Sequence, residues 1–257
     1  MTPLIKIDQI YFKREDQNIT GSAKDRSISL QVETLIKQNF KDAVISSTGN
    51  AAISAQYFCN KFNIPLKIFV SQKTNSQKLK LIKNYTTSLK PISSAFKYAK
   101  SNNAYLLRQS TDPTSIVGYG NIGKEILEQL PETTSVFIPC GSGTTAMGIA
   151  SLIKNVCIVQ PASHCPLASY YDLDYTKETE TITDALGAKL LPLKRNIFKE
   201  IPHGTVVQNA DVIKAQEYLE KNNISTSAEG ALALAGYLKM KDMAGNYPVI
   251  LLTGAKR

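Results

Sequence analysis

The feature that most constrains the fold of this chain is a regular alternation of short apolar segments with amphipathic segments. The apolar segments predict strands at 10–12, 43–46, 66–70, 105–107, 135–139, 157–160 and 248–252. Short, continuously apolar strands separated by helices are typical of a parallel sheet covered on both faces, so the chain is predicted to be an α/β protein. Ligands of such sheets bind where the strands end, and a site is therefore expected at the strand-to-helix junctions.

Helical spacing of apolar residues accounts for most of the remaining chain. An apolar stripe from Ile28 to Ile36 predicts a helix that follows Lys24 and continues through Gln38. Further helices are predicted at 50–62, 76–84, 93–101, 115–130, 144–153, 211–222 and 228–241. The segment 163–204 is the least regular, and loops that determine specificity are expected there.

Composition narrows the class of protein further. The chain of 257 residues is 43% hydrophobic and 20% charged, which is ordinary for a soluble globular protein. No apolar run is long enough to span a bilayer, and the first residues lack the layout of a signal peptide. The four cysteines form no CxxC pair, and with only two histidines a zinc site is not expected. We predict a cytoplasmic protein that has no metal site, no specific contacts with nucleic acid and no membrane anchor.

The net charge of +9 is spread along the chain rather than gathered in one segment. No RNA-binding or helix-turn-helix signature accompanies it, although non-specific affinity for polyanions stays open. We interpret the basic balance as a means of handling small anionic ligands.

Lys24 stands at the first junction, between the turn 18–22 and the helix that follows. A helix N-terminus is the unfavourable end of the helix dipole for an ammonium group and favours a neutral amine. A neutral amine is a nucleophile that can form a Schiff base with an aldehyde. On these residues alone, an ordinary solvated surface lysine remains the alternative interpretation.

Three other strand ends carry polar or glycine-rich strings. Ser47-Thr48-Gly49-Asn50-Ala51 precedes a helix and is suited to binding a carboxylate, or is simply a helix cap. Cys140-Gly141-Ser142-Gly143-Thr144-Thr145 is suited to binding a phosphate, although it is neither a Walker loop nor a GxGxxG fingerprint. The hydroxyl of Thr253, directly after the last strand, is able to bind a ring nitrogen or to cap the strand end.

Taken in order, these strings resemble the tryptophan-synthase-beta-like family, the fold type II pyridoxal phosphate (PLP) enzymes. Thr2-Pro3-Leu4 is similar to the family's opening, and the segment 13–26 is similar to its Schiff-base segment, which usually ends Gly-Ser-Phe-Lys-Asp-Arg. The strings 47–51, 118–126 and 141–145 resemble its substrate loop, middle helix and phosphate loop. The resemblance implies two open, mostly parallel sheets with the PLP site in a cleft between a larger domain (1–37 and 124–257) and a smaller one (38–123).

Within the family, the sequence most resembles threonine synthases. The strings 78–82, 95–97, 227–236 and 252–254 are similar to theirs, as is Thr48 in the substrate loop. Two departures stand out, because Ser115 and Gly120 occupy the positions of an Arg and a Lys that serve the substrate phosphate in threonine synthases. Loss of two cations would weaken the binding of a phosphate dianion.

The resemblance also implies roles for individual residues. Lys24 would hold PLP as a Schiff base and act as general base and acid, and Asn50 would bind the ring hydroxyl. The cofactor phosphate would be bound by Gly141, Ser142, Gly143, Thr144 and Thr145, and the ring nitrogen by Thr253. Ser47, Thr48 and the Ala51 amide would bind the substrate carboxylate. Relatives are commonly dimers, so a homodimer is an expectation.

Three functions follow as hypotheses. The leading one is a PLP-dependent lyase of the threonine-synthase kind, which converts O-phosphohomoserine to threonine and phosphate. The alternative is a serine/threonine ammonia-lyase or a cysteine-synthase-like enzyme that replaces a β substituent, which the missing lysine at Gly120 favours. The third is a PLP-binding protein without catalysis.

Overall fold

The computed structural model describes residues 1–72, 74, 79–183, 185–188 and 191–256. These residues divide into two compact units, a larger one of Met1–Ala23 with Tyr119–Arg257 and a smaller one of Lys24–Gly118. Residues 24–37 are predicted in the larger domain and residues 119–123 in the smaller one, whereas the contacts group 24–37 with the smaller unit and 119–123 with the larger. The physical reason is that Ile28, Val32 and Leu35 pack into the core of the smaller unit. Separate cofactor and substrate domains stay a prediction.

A six-stranded sheet forms the centre of the larger unit, in the order β1-β2-β10-β7-β8-β9. Its strands are β1 (Leu4–Ile7), β2 (Ile10–Lys13), β7 (Ser135–Pro139), β8 (Val156–Pro161), β9 (His203–Val207) and β10 (Pro248–Leu251). β1 pairs antiparallel with β2, and the other neighbours are parallel.

Helices cover both faces of this sheet. One apolar core lies between the sheet and two helices, α7 (Asn209–Lys221) and α8 (Ala228–Lys239). The core on the other face includes α5 (Thr144–Ala150), α6 (Lys194–Glu200) and the part of α4 (Thr114–Gln129) that belongs to this unit. The strand ends that carry candidate residues are thereby fixed between two packed layers.

The smaller unit contains a parallel sheet of four strands in the order β5-β4-β3-β6. The strands are β3 (Ala43–Ser46), β4 (Leu66–Ser71), β5 (Tyr85–Ser88) and β6 (Tyr105–Leu106). Apolar residues of α1 (Lys24–Lys37) and α2 (Asn50–Lys61) pack in one core with the sheet, and those of α3 (Pro91–Asn102) pack in another.

The predicted fold class, an α/β protein with two mostly parallel sheets and helices on both faces, is confirmed. Among the strands and α-helices of the described residues, β1, β5, β9 and α6 were not predicted. Of the helix predicted at 76–84, residues 76–78 lie outside the described residues, and residues 80–84 form turn and irregular structure instead of a helix. Within the described part of the chain, no helix combines the length and apolarity needed to cross a membrane.

Candidate functional site

Lys24 is the first residue of α1, and it is half-buried. The residue before it, Ala23, belongs to the larger unit and donates its backbone N–H to the carbonyl of Thr253 at 2.9 Å. The chain therefore enters α1 directly from a backbone contact with the end of β10.

The loop after β3 presents backbone donors at the start of α2. Gly49 precedes the helix, and among the described residues no side chain caps this helix end. Ser47 accepts a hydrogen bond from the Gly49 N–H at 3.3 Å, which folds the loop back on itself. Since the first N–H groups of a helix have no partner within it, those of Asn50 and Ala51 suit a carboxylate.

The turn after β6 was not singled out by sequence, and it follows the strand that pairs with β3. Leu106 pairs with Val44, and the Leu107 N–H reaches the Val44 carbonyl at 2.9 Å, so the turn leaves the sheet next to the end of β3. Gln109 donates to Gln31 of α1 at 3.4 Å, and Gln31 donates to Asp112 at 2.6 Å. Side chains of α1 thus hold the turn in place.

Arg108 is the cation on this turn. Its guanidinium lies 5.4 Å from the centre of the Phe96 ring, and its buried Nε has no hydrogen-bond partner within the described part of the chain. Burial lowers the pKa of Arg108 from its usual value. An incompletely paired guanidinium at the end of a strand favours an anion nearby.

Ser115 and Gly120, which the resemblance to threonine synthases places at the positions of two cations, lie in packed surroundings. Ser115 is fully buried and accepts a hydrogen bond of 2.8 Å from Ser27, which is also fully buried. Gly120 is buried too, and a Cβ there would lie 3.4 Å from the Gly148 carbonyl oxygen. Neither position presents a polar side chain to a ligand.

In the larger unit, the loop after β7 forms a cradle of donors. Gly143, at φ +86°, immediately precedes α5, and no described side chain caps this helix end. The hydroxyls of Ser142 and Thr144 lie 3.0 Å apart. A side chain at position 143 would overlap Ile197, so only glycine fits this turn. Because residues 141–145 include amides and hydroxyls but no carboxylate, they suit a phosphate group.

A second segment borders this loop and was missed in the sequence. Leu186 lies 3.8 Å from where a Cβ of Gly141 would be. The N–H of Ala185 donates at 3.1 Å to Glu229, a buried residue in the first turn of α8. The segment lies within the stretch predicted to be irregular, and no local pattern pairs it with Glu229. The string 227–236 includes that residue, and sequence reasoning assigned it no role.

Thr253 leaves the sheet at the same edge as the loop 141–145. β10 and β7 are neighbours, with Ile250 opposite Phe137, so Thr253 extends level with Cys140. The next carbonyl, that of Gly254, accepts from the Thr226 hydroxyl at 2.8 Å. The larger unit thus places Thr253 and the loop 141–145 at one edge, while the smaller unit holds Lys24 and the loop 47–51.

Known proteins resemble this chain in sequence. The model of a family described as "Pyridoxal-phosphate dependent enzyme" matches residues 1–254. The chain is 24% identical over 271 residues to the L-threonine ammonia-lyase of Geobacter sulfurreducens, covering 95% of the chain and 67% of that protein. The chain covers 77% of the length of one curated relative that it matches and only 32% of another.

Solved structures share the fold. The structure of maize serine racemase superimposes with a TM-score of 0.86 at 20% identity, covering the whole chain and 88% of that protein. The processed form of threonine deaminase isoform 2 from Solanum lycopersicum superimposes with a TM-score of 0.85 at 22% identity, covering 100% and 84%.

Proposed function

Because the chain belongs to the pyridoxal-phosphate-dependent enzyme family, we propose that it is a lyase that removes ammonia from threonine or serine. The family match confirms the predicted cofactor, PLP. The observation that carries the substrate assignment is the environment of Ser115, which is buried and bonded to Ser27 where a threonine synthase would place a cation. The similarity to threonine ammonia-lyases supports it. The predicted alternative is thereby favoured over the leading hypothesis.

The described residues fit the cofactor by their chemistry. The cradle at 141–145 offers donors without a competing carboxylate, as a phosphate requires, and its turn leaves no room for a side chain at Gly143. Asn50 would donate to the ring hydroxyl, and Thr253 would bind the ring nitrogen without the fixed charge that a carboxylate would bring. Lys24 would hold the cofactor aldehyde covalently.

When bound, the cofactor supplies an electron sink for charge that develops on the substrate Cα. The Nζ of Lys24 takes the proton from Cα and returns a proton later. Ser47, Thr48 and the amide of Ala51 hold the substrate carboxylate, which orients the Cα–H bond toward the lysine. Loss of the β-hydroxyl and hydrolysis then convert threonine to 2-oxobutanoate and ammonia, with water neither gained nor lost overall.

Arg108 favours a second candidate, a phosphate-releasing enzyme of the threonine-synthase kind. Its buried Nε lacks a described partner, and its turn follows β6, the strand that pairs with β3 and so neighbours the strand that leads into the loop 47–51. A phosphorylated substrate would satisfy this guanidinium. One cation in place of two predicts weaker binding of the dianion, so this candidate ranks second.

A substrate panel separates these functions. The PLP-loaded protein is incubated with L-threonine, L-serine and O-phosphohomoserine, and 2-oxo acid, inorganic phosphate and D-serine are measured. The proposal predicts 2-oxo acid from threonine or serine and no phosphate. Phosphate release with formation of threonine would establish the second candidate instead. Cofactor binding without any product would leave a non-catalytic binder, and D-serine alone would indicate a racemase.

A further inference from the structure

Helix α4 approaches the first turn of α1 unusually closely at Gly118. A Cβ built there would overlap the carbonyl oxygen of Arg26 and would lie 3.0 Å from the Cα of Ser27. The obstruction is backbone, which cannot rotate away as a long side chain can. Gly123 on the same helix differs, because its Cβ would lie at 3.4 Å or more from its described neighbours.

One turn earlier on α4, Ser115 contacts the same turn of α1. The Ser27 hydroxyl donates to the Ser115 hydroxyl at 2.8 Å, and both side chains are fully buried. Residues three apart on a helix share a face, so the contacts at positions 115 and 118 act on α1 from one side. The hydrogen bond fixes the sideways position of this turn of α1 on α4. The absence of a side chain at Gly118 determines how closely the backbones of the two helices approach.

The next contact along the two helices continues this arrangement. Gln31, one turn beyond Ser27, is fully buried and donates to Asp112 at 2.6 Å. Asp112 in turn accepts from the N–H of Thr114 at 2.9 Å, which closes the N-terminal end of α4. The start of α4 is therefore a fixed surface against which the first two turns of α1 are set.

We propose that Gly118, Ser27 and Ser115 are positioning residues. The close approach at Gly118 and the Ser27–Ser115 hydrogen bond together set where the amine of Lys24 lies. The inference rests on the proposed role of Lys24 in holding the cofactor. Lys24 precedes Ser27 by less than one helical turn, so a shift of the Arg26 carbonyl moves the lysine backbone with it. A misplacement of about 1 Å at a reacting group is able to cost roughly 100-fold in rate.

The test compares Gly118→Ala with Gly123→Ala, the same change on the same helix. Each PLP-loaded variant is assayed for kcat and KM with the best substrate of the panel. Two further quantities are measured. One is the pH midpoint at which the cofactor's absorbance band near the edge of the visible region changes, and the other is the yield of cofactor fixed to Lys24 by borohydride. We expect Gly118→Ala to lower kcat about 100-fold with little change in KM, to shift the pH midpoint and to reduce the yield. Gly123→Ala should match the parent protein in all four.

Ser115→Ala provides a milder version, which keeps the test available if Gly118→Ala does not fold. It should move the pH midpoint and the yield in the same direction, and Ser115→Thr, which keeps the hydroxyl, should restore part of the change. Amide hydrogen exchange in the cofactor-free protein should quicken at residues 24–29 in Ser115→Ala.

Two outcomes separate this inference from the role of Lys24 itself. If Lys24→Ala abolishes the band while Gly118→Ala and Ser115→Ala both behave as the parent, the positioning role is refuted. If the band survives Lys24→Ala, the proposed function of the lysine fails, and the positioning role fails with it.

Discussion

The buried ion pair between Lys13 and Glu125 gives a quantitative test of what holds the larger unit together. The Lys13 ammonium is fully buried and lies 2.6 Å from the Glu125 carboxylate, which is 13% exposed. It also donates to the backbone carbonyl of Thr2 at 2.7 Å, while the Thr2 N–H donates to Glu125 at 3.1 Å. The pair thus joins β2, α4 and the first residues of the chain.

Lys13→Met removes the charge but keeps a side chain of similar length. The Glu125 carboxylate then stays largely buried without the Lys13 ammonium, and the half-exposed N-terminal ammonium of Met1, 4.0 Å away, compensates it only weakly. This costs about 3–5 kcal/mol of unfolding free energy. Glu125→Leu should cost a similar amount for the converse reason. Lys13→Met/Glu125→Leu removes both buried charges together and should return to within about 1 kcal/mol of the parent, because the desolvation cost disappears with the attraction.

Urea unfolding followed by circular dichroism measures these differences. With a slope of about 3 kcal/mol per molar urea, each single substitution should lower the midpoint by roughly 1–1.7 M. Lys124→Met is the matched control on the same helix, since its partner Glu128 lies 3.9 Å away and both side chains are exposed. It should change stability by less than about 0.5 kcal/mol. A double variant as unstable as the sum of the two single variants would refute the reasoning.

The remaining predictions concern the larger unit. Gly143→Ala should lower the melting temperature of the cofactor-free protein, because φ there is +86° and the new side chain meets a packed isoleucine; an unchanged melting temperature would contradict this. Burial opposes ionisation of Asp172, but hydrogen bonds led by that from Lys239 outweigh it and lower its pKa. The stability that Asp172 adds over Asp172→Asn should therefore be present at neutral pH and disappear as the pH falls through that lowered pKa; a constant difference in urea midpoint would count against it. Glu229→Ala should weaken PLP binding because it leaves the Ala185 N–H without its acceptor. Glu229→Gln keeps an acceptor and should bind PLP nearly as well as the parent protein; a Glu229→Ala variant that binds PLP as tightly as the parent would exclude this role.

The sequence was most informative about the parts of the fold that are continuously apolar. Every residue of β7 and of β10 is buried, and both strands were predicted from their apolar runs. β5 was missed because Tyr85–Ser88 alternates between exposed and partly buried residues and has no apolar run. β9 was missed because it begins with His203 and Gly204, inside a stretch without regular spacing.

The candidate site was predictable where its residues follow one another in the chain. The strings 47–51 and 141–145 each follow a strand closely in the chain. The apolar run of each strand and the polar string after it can therefore be read directly from the sequence. The contacts that support them join distant segments, as do Ser27 with Ser115 and Ala185 with Glu229. Pairings across such distances depend on how helices pack, and one sequence carries no periodic signal for them.

Borohydride reduction of the PLP-loaded protein, followed by peptide mass spectrometry, tests the central claim most directly. Reduction makes the link between the cofactor aldehyde and an amine permanent, so the modified residue is identified without reference to any substrate. We expect one cofactor mass on the peptide that contains Lys24 and none in Lys24→Ala. A cofactor mass on a different lysine, or an undiminished mass in Lys24→Ala, would contradict it.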